Sequence, residues 1–186
     1  MTDYQYIEAL FKAVLDKSKA VQGRFFVTAR YGMQEVNYDE LGQPIKDYIE
    51  RLEKKYPLSM MPQPVSYVHI SGRNDGWETY RIMIFFVDQI VKPENINPRT
   101  RTNTKSVAQV QTEMKRVAMN FLRTLQKVGS KPPVRFSVSD NQMFISPVNR
   151  VGLDGVCGVK VDFDLKMQIQ CDYTDYDENV EIVISN

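Results

Sequence analysis

The cleanest pattern in the chain is a strict alternation near its end. Cys157, Val159, Val161, Phe163, Leu165, Met167, Ile169 and Cys171 alternate with Gly158, Lys160, Asp162, Asp164, Lys166, Gln168, Gln170 and Asp172. Side chains along a strand point to opposite faces in turn, so this run predicts a long strand with one buried and one wet face. Its length exceeds that of ordinary strands, so a bend or bulge is expected within it.

A different period marks the helices. Tyr6, Ile7, Leu10, Phe11, Val14 and Leu15 recur at three- and four-residue spacing and predict a helix over 3–21, capped by Thr2 or Asp3 and ended by Gly23. Pro44 suits the first turn of a short second helix carrying Ile45, Tyr48, Ile49 and Leu52, which Pro57 stops. The longest helix starts near Thr104, with Thr102 or Asn103 as cap. Its stripe is Val107, Val110, Met114, Val117, Phe121, Leu122 and Leu125, and Gly129 closes it.

The remaining apolar runs read as strands. Arg24 to Tyr31 is β-branched and aromatic, with Val36 to Tyr38 continuing it or pairing back. Val65–Ile70 and Trp77–Asp88 form a hairpin about Gly72–Gly76. Ile82 to Val87 is apolar on both faces, which predicts a central strand covered on both sides. Val134–Val138 and Met143–Val148 predict a second hairpin about Ser139-Asp140-Asn141, and Val180, Ile182 and Ile184 a short terminal strand. Between Pro57, Pro62 and Pro64 the segment Leu58-Ser59-Met60-Met61 is expected to be irregular. Two readings stand: a loop tucked over the core, or an exposed contact surface in which Met60 and Met61 adapt to a partner. The order of elements is that of an α+β fold, an antiparallel or mixed β-sheet with helices packed on one face. It fits one domain over residues 1–186, with 172–186 expected as a flexible acidic C-terminal segment.

Composition narrows the function classes. The chain is 42% hydrophobic and 25% charged, a globular profile, and its net charge of +1 exerts no overall pull toward nucleic acid or anionic membrane. Cys157 and Cys171 lie on one predicted strand about 14 residues apart, on the order of 45 Å. That is too far for a disulfide, so both read as buried thiols in a reducing compartment. The stretch Met1–Leu10 has no basic region leading into an apolar run, and Ile82–Val87 is too short to cross a bilayer. Neither a signal peptide nor a membrane span is expected, and the chain is expected to fold in a cytoplasm.

Residues that could carry chemistry are few. His69, the single histidine, sits in a strand pattern with no nucleophile or metal ligand beside it in sequence. Gly152, Gly155 and Gly158 precede a strand and open no helix, so no phosphate loop is formed. The acidic run Asp172 to Glu178 matches a calcium loop in composition alone, since the glycine and the closing glutamate that such a loop requires are not in place. Neither a hydrolase elbow nor a zinc-protease motif is present. No catalytic, cofactor-binding or metal-binding residue is assigned, no cofactor is expected, and the chain does not read as an enzyme.

Charge is distributed unevenly. Between Arg99 and Lys131 stand Arg99, Arg101, Lys105, Lys115, Arg116, Arg123, Lys127 and Lys131 against Glu113 alone, about +7. Asp172, Asp175, Asp177, Glu178 and Glu181 give the end of the chain about −5 with no base. Three readings compete: a solvated helix face with a solvated tail, phosphate contact by the basic segment 99–131 of a nucleic-acid-binding accessory protein, and head-to-tail association. In the last, Asp175, Asp177 and Glu178 of one copy meet Lys115, Arg116, Arg123 and Lys127 of the next.

The order of several segments across residues 50–186 resembles structural neck and tail-completion proteins of tailed bacteriophages, of the crAss-like and Bacteroidetes-phage type. The resemblance lies in the proline-rich stretch Tyr56–Pro64, the aromatic strand Trp-x-x-Tyr-x-x-x-x-Phe-Phe-Val-Asp over Trp77–Asp88, the helix Val107–Val128, and the Val-Asp-Phe-Asp-Leu core over Val161–Leu165. It implies a tail-terminator-like fold and a non-enzymatic virion protein assembled in the host cytoplasm. It further implies a homo-oligomeric ring that contacts other neck or tail proteins and meets DNA only as it passes through the lumen. No single residue's role carries over, because contacts in that family are surfaces. The acidic Tyr-Thr-Asp-Tyr-Asp-Glu ending departs from the family, so the resemblance assigns no position in the neck or tail.

Overall fold

A computed structural model describes residues 3–28, 42–50, 56–67, 77–90, 105–129, 136–138, 143–151 and 155–168. The elements are α1 (Asp3–Asp16), β1 (Phe25–Thr28), α2 (Gly42–Ile49), β2 (Leu58–Pro62), β3 (Val65–Tyr67), β4 (Trp77–Gln89), α3 (Val107–Gly129), β5 (Phe136–Val138), β6 (Phe144–Val148) and β7 (Val156–Gln168). Thr2, Thr102, Asn103, His69, Cys171, the 36–38 and 180–184 strand expectations and the whole acidic segment 172–186 lie outside the described residues. The architecture is α+β, with one mixed sheet of seven described strands.

Two long strands form its spine. β4 and β7 pair antiparallel along their full length, from Trp77↔Gln168 to Gln89↔Val156. The alternation in β7 holds: Cys157, Val159, Val161, Phe163, Leu165 and Met167 are all buried on one face, while Lys160 and Asp162 on the other carry an ion pair at 3.0 Å. β4 is buried on both faces from Ile84 to Val87, as a central strand should be.

Each long strand carries two short ones end to end on its outer edge. β2 and β3 both run antiparallel to β4, with residues 61–64 opposing 82–84, so one extra residue forms a bulge there. Pro62 and Pro64 sit at this interruption, where a missing N–H does least harm. The expected pairing of Val65–Tyr67 with the following strand is therefore found, whereas the irregular Leu58–Met61 loop is not. That segment is the regular strand β2, antiparallel to β4 and parallel to β1. Among the described residues the second expected hairpin is not formed either. β5 and β6 both pair with β7, from Phe136↔Met167 to Val138↔Leu165 and from Phe144↔Asp162 to Val148↔Gly158.

One face of the sheet carries the main core. Ile7, Phe11 and Leu15 of α1 and Val110, Met114, Ala118, Phe121, Leu122 and Leu125 of α3 pack on the apolar faces of β4 and β7. Phe121 sits at the centre, edge-on to Phe11 with ring centroids 5.3 Å apart and 5.5 Å from Phe86. Such aromatic pairs add about 0.5–1.5 kcal/mol beyond the area they bury. The expectation that all helices share one face needs correction. Ile45 of α2 is buried against Leu58, Met60, Phe85 and Val87 on the opposite face, and the Tyr48 ring stacks on Phe26 at 4.4 Å. At the β2 end both sheet faces are apolar, so both require cover.

α1 ends at Asp16, earlier than its sequence pattern suggests. Its apolar stripe stops at Leu15, and residues 17–23 fold back so that the Gly23 N–H donates to the Leu15 carbonyl at 3.0 Å. Gln22 and Gly23 hold φ of 51° and 72° to make this return. Lys12 ties the turn down, donating to Asp16 Oδ1 at 2.7 Å and to the Gly23 carbonyl at 2.8 Å. The buried Arg24 completes the junction. Its Nε donates to the Pro57 carbonyl at 2.7 Å and its Nη2 to the Ala20 carbonyl at 2.6 Å. Burial lowers its pKa, an effect opposed by Tyr48 and Asp88.

Candidate interaction surface

The surface centres on α3, and local chemistry fixes where that helix begins. The Ser106 hydroxyl accepts from the Gln109 N–H at 3.3 Å, and Gln109 Oε1 accepts from the Ser106 N–H at 2.8 Å. This is a reciprocal capping box, and it satisfies two amide donors that the first turn would otherwise leave open. The Ser-x-x-Gln spacing carried that signal in the sequence, downstream of Thr102 and Asn103.

Glu113 is the one acid on α3, and Lys105 occupies it at 2.5 Å while also reaching Asp88 Oδ2 at 3.3 Å. The Glu113 hydrogen bond is the main reason the Lys105 ammonium titrates above its ordinary range, with Asp88 adding to it and burial opposing it. The helix's acid is thus committed to its own N-terminal end. Lys115, Arg116, Arg123 and Lys127 are all exposed. Among the described residues no carboxylate forms an ion pair with Lys115, Arg116 or Arg123.

At about 100° of rotation per residue, Arg116, Arg123 and Lys127 fall within about 40° of one another, on a stripe about 16 Å long. That stripe is opposite the buried residues. Lys115 lies about 100° round the helix, on the flank away from α1. The structure therefore brings three of the four expected cations into line and leaves Lys115 to the side.

Two cations that the charge count over 99–131 did not include join the stripe. Where α1 ends, Lys17 and Lys19 in the following turn line a groove of about 550 Å³ together with Arg116. Its other polar walls are Ser18, Asn120 and Thr124, over an apolar floor that includes Val14, Val117 and Phe121. Among the described residues no acidic side chain lines it.

Met60 and Met61 do not belong to any surface. They are 0% and 1% exposed, Met60 against Ile45 and Phe85 and Met61 in the main core. An exposed methionine contact surface is corrected to a central strand. Asp175, Asp177 and Glu178 lie outside the described residues. Cys157 is buried, and burial pushes its thiol pKa up, which makes it a poor nucleophile. Among the described residues no three His, Cys, Asp or Glu side chains cluster as metal ligands, and no helix is long and apolar enough to cross a membrane. No protein-family model matches the chain, and no curated protein is similar to it in sequence.

Proposed function

We propose that this chain is a structural protein that assembles head to tail, the basic outer face of α3 receiving the acidic end of the next copy. The observation that carries the reading is that Lys115, Arg116 and Arg123 are exposed on a helix whose one acid is committed to Lys105. A surface built this way is left to attract an acidic partner, and the same sequence contains one in Asp175, Asp177 and Glu178. A contact between two different patches of one chain repeats from copy to copy and closes into a ring when the rotation allows. The resemblance to phage neck and tail-completion proteins supplies the setting of this proposal: a ring in a virion neck or tail, with other virion proteins as neighbours and no chemistry of its own.

The test removes the charge and keeps the shape. In the triple variant Asp175→Asn/Asp177→Asn/Glu178→Gln, assembly measured by analytical ultracentrifugation should weaken and lose most of its sensitivity to salt. Wild-type assembly in this variant, at every salt concentration, would remove the acidic segment from the interface and the reading with it.

A further inference from the structure

The groove beside α3 has a more specific design than a basic surface. Lys17 and Lys19, which follow α1, line it together with Arg116 of α3, and its apolar lining is mainly the half-buried Val14 and Val117, with Phe121 buried beneath. Cations over an apolar floor select a ligand that is acidic and apolar at once. A bare phosphate or a run of aspartates would satisfy the walls and leave the floor wet. An aromatic ring held between carboxylates satisfies both. The acidic end of this chain is built that way: Asp172-Tyr173-Thr174-Asp175-Tyr176-Asp177-Glu178 places each tyrosine among acids.

We propose that this groove is the receptor for the 172–178 segment of a second copy, with Tyr176 laid on the half-buried Val14 and Val117 and Asp175 and Asp177 against Lys17, Lys19 and Arg116. Tyrosine suits such a place because its ring is apolar and its hydroxyl stays hydrogen-bonded, here within reach of Ser18, Asn120 or Thr124 on the rim. The inference rests on the head-to-tail reading above and adds to it a defined site, with Lys17 and Lys19 as contact residues.

The test uses the full-length triple-neutralised chain, whose own acidic end no longer competes, and a fluorescently labelled peptide covering residues 172–181. Anisotropy titration should show saturable binding that weakens tenfold or more with Lys17→Glu/Lys19→Glu in the receptor. Tyr176→Ala in the peptide should weaken it by a similar factor. Lys46→Glu, on α2 at the opposite face of the sheet, should leave it unchanged. An absence of binding, or binding indifferent to Lys17 and Lys19, overturns the groove. So does tighter binding of a DNA duplex of arbitrary sequence through the same two lysines, which would make the groove a phosphate site. A wild-type chain that stays monomeric and refuses the peptide would show its own end folded into its own groove, and would overturn the second-copy assignment. The two levels separate cleanly. If otherwise wild-type protein carrying Lys17→Glu/Lys19→Glu assembles normally, the groove fails while head-to-tail pairing on the α3 stripe stands.

Discussion

Gly158→Ala is expected to destabilise the fold by at least about 3 kcal/mol, at or beyond the top of the range for overpacked cores. A Cβ at position 158 would be driven into the carbonyl oxygen of Phe86 and would lie 2.9 Å from both the Phe86 carbonyl carbon and Val87 Cα. All three are backbone atoms, so no side chain can rotate out of the way. Relief requires β4 and β7 to separate where Val87 faces Gly158, two pairs in from the Gln89↔Val156 end of their pairing. Each ladder hydrogen bond lost there costs about 1 kcal/mol, and more where the freed groups stay buried. Total stabilities of about 5–15 kcal/mol leave little room for such a loss. Urea titration followed by circular dichroism measures it, as a midpoint well below wild type or as no cooperative transition at all. A midpoint within about 1 kcal/mol of wild type would mean that the strands do not approach this closely.

Reversing the outward stripe of α3 should have the largest effect on association. In Arg116→Glu/Arg123→Glu/Lys127→Glu the local charge changes by about −6, and a face proposed to receive carboxylates becomes one that repels them. Like charges placed opposite one another across an interface cost several kcal/mol. Self-association should therefore weaken at least about 100-fold, which corresponds to about 2.8 kcal/mol. The three side chains are exposed, so the helix should survive, with a loss of a few tenths of a kcal/mol where Lys127 no longer complements the C-terminal end of the helix dipole. Sedimentation velocity against concentration reads the effect, and unchanged circular dichroism shows that the fold is intact. If the variant assembled as the wild type does, α3 would not be the interface.

Where the sequence can be read, the deciding information is local. β7 shows its period of two because one face is buried and the other wet, and α3 shows its stripe because one side alone meets the sheet. β4 was legible for the opposite reason, since a strand covered on both faces loses its alternation over Ile82–Val87. β2 is covered on both faces too, but it is short and bracketed by prolines. Its prolines read as breakers because the sequence does not reveal that Pro62 closes the strand and Pro64 sits in a bulge. The β5–β6 region fails differently. Ser139-Asp140-Asn141 has the composition of a tight turn, which predicts that the segments on either side pair with each other. The outcome is decided by β7, which is long enough to pair with both segments.

The candidate site divides along the same line. Arg116, Arg123 and Lys127 share a face by helical geometry alone, so their spacing announces it. Lys17 and Lys19 are brought beside Arg116 because Phe11 packs on Phe121 and so lays the end of α1 along α3. No pattern within residues 17–19 encodes that juxtaposition. Met60 and Met61 mislead because methionine suits an adaptable surface and a tightly packed interior equally well.

The most direct test of charge-driven assembly is the mass of the purified wild-type protein by light scattering, at low salt and at 0.5 M salt. The higher concentration shortens the Debye length to about 4 Å and uncouples exposed charge pairs. The expected result is a multiple of 21.6 kDa at low salt that falls toward the single-chain mass at high salt. A mass of 21.6 kDa under both conditions would contradict head-to-tail assembly through α3.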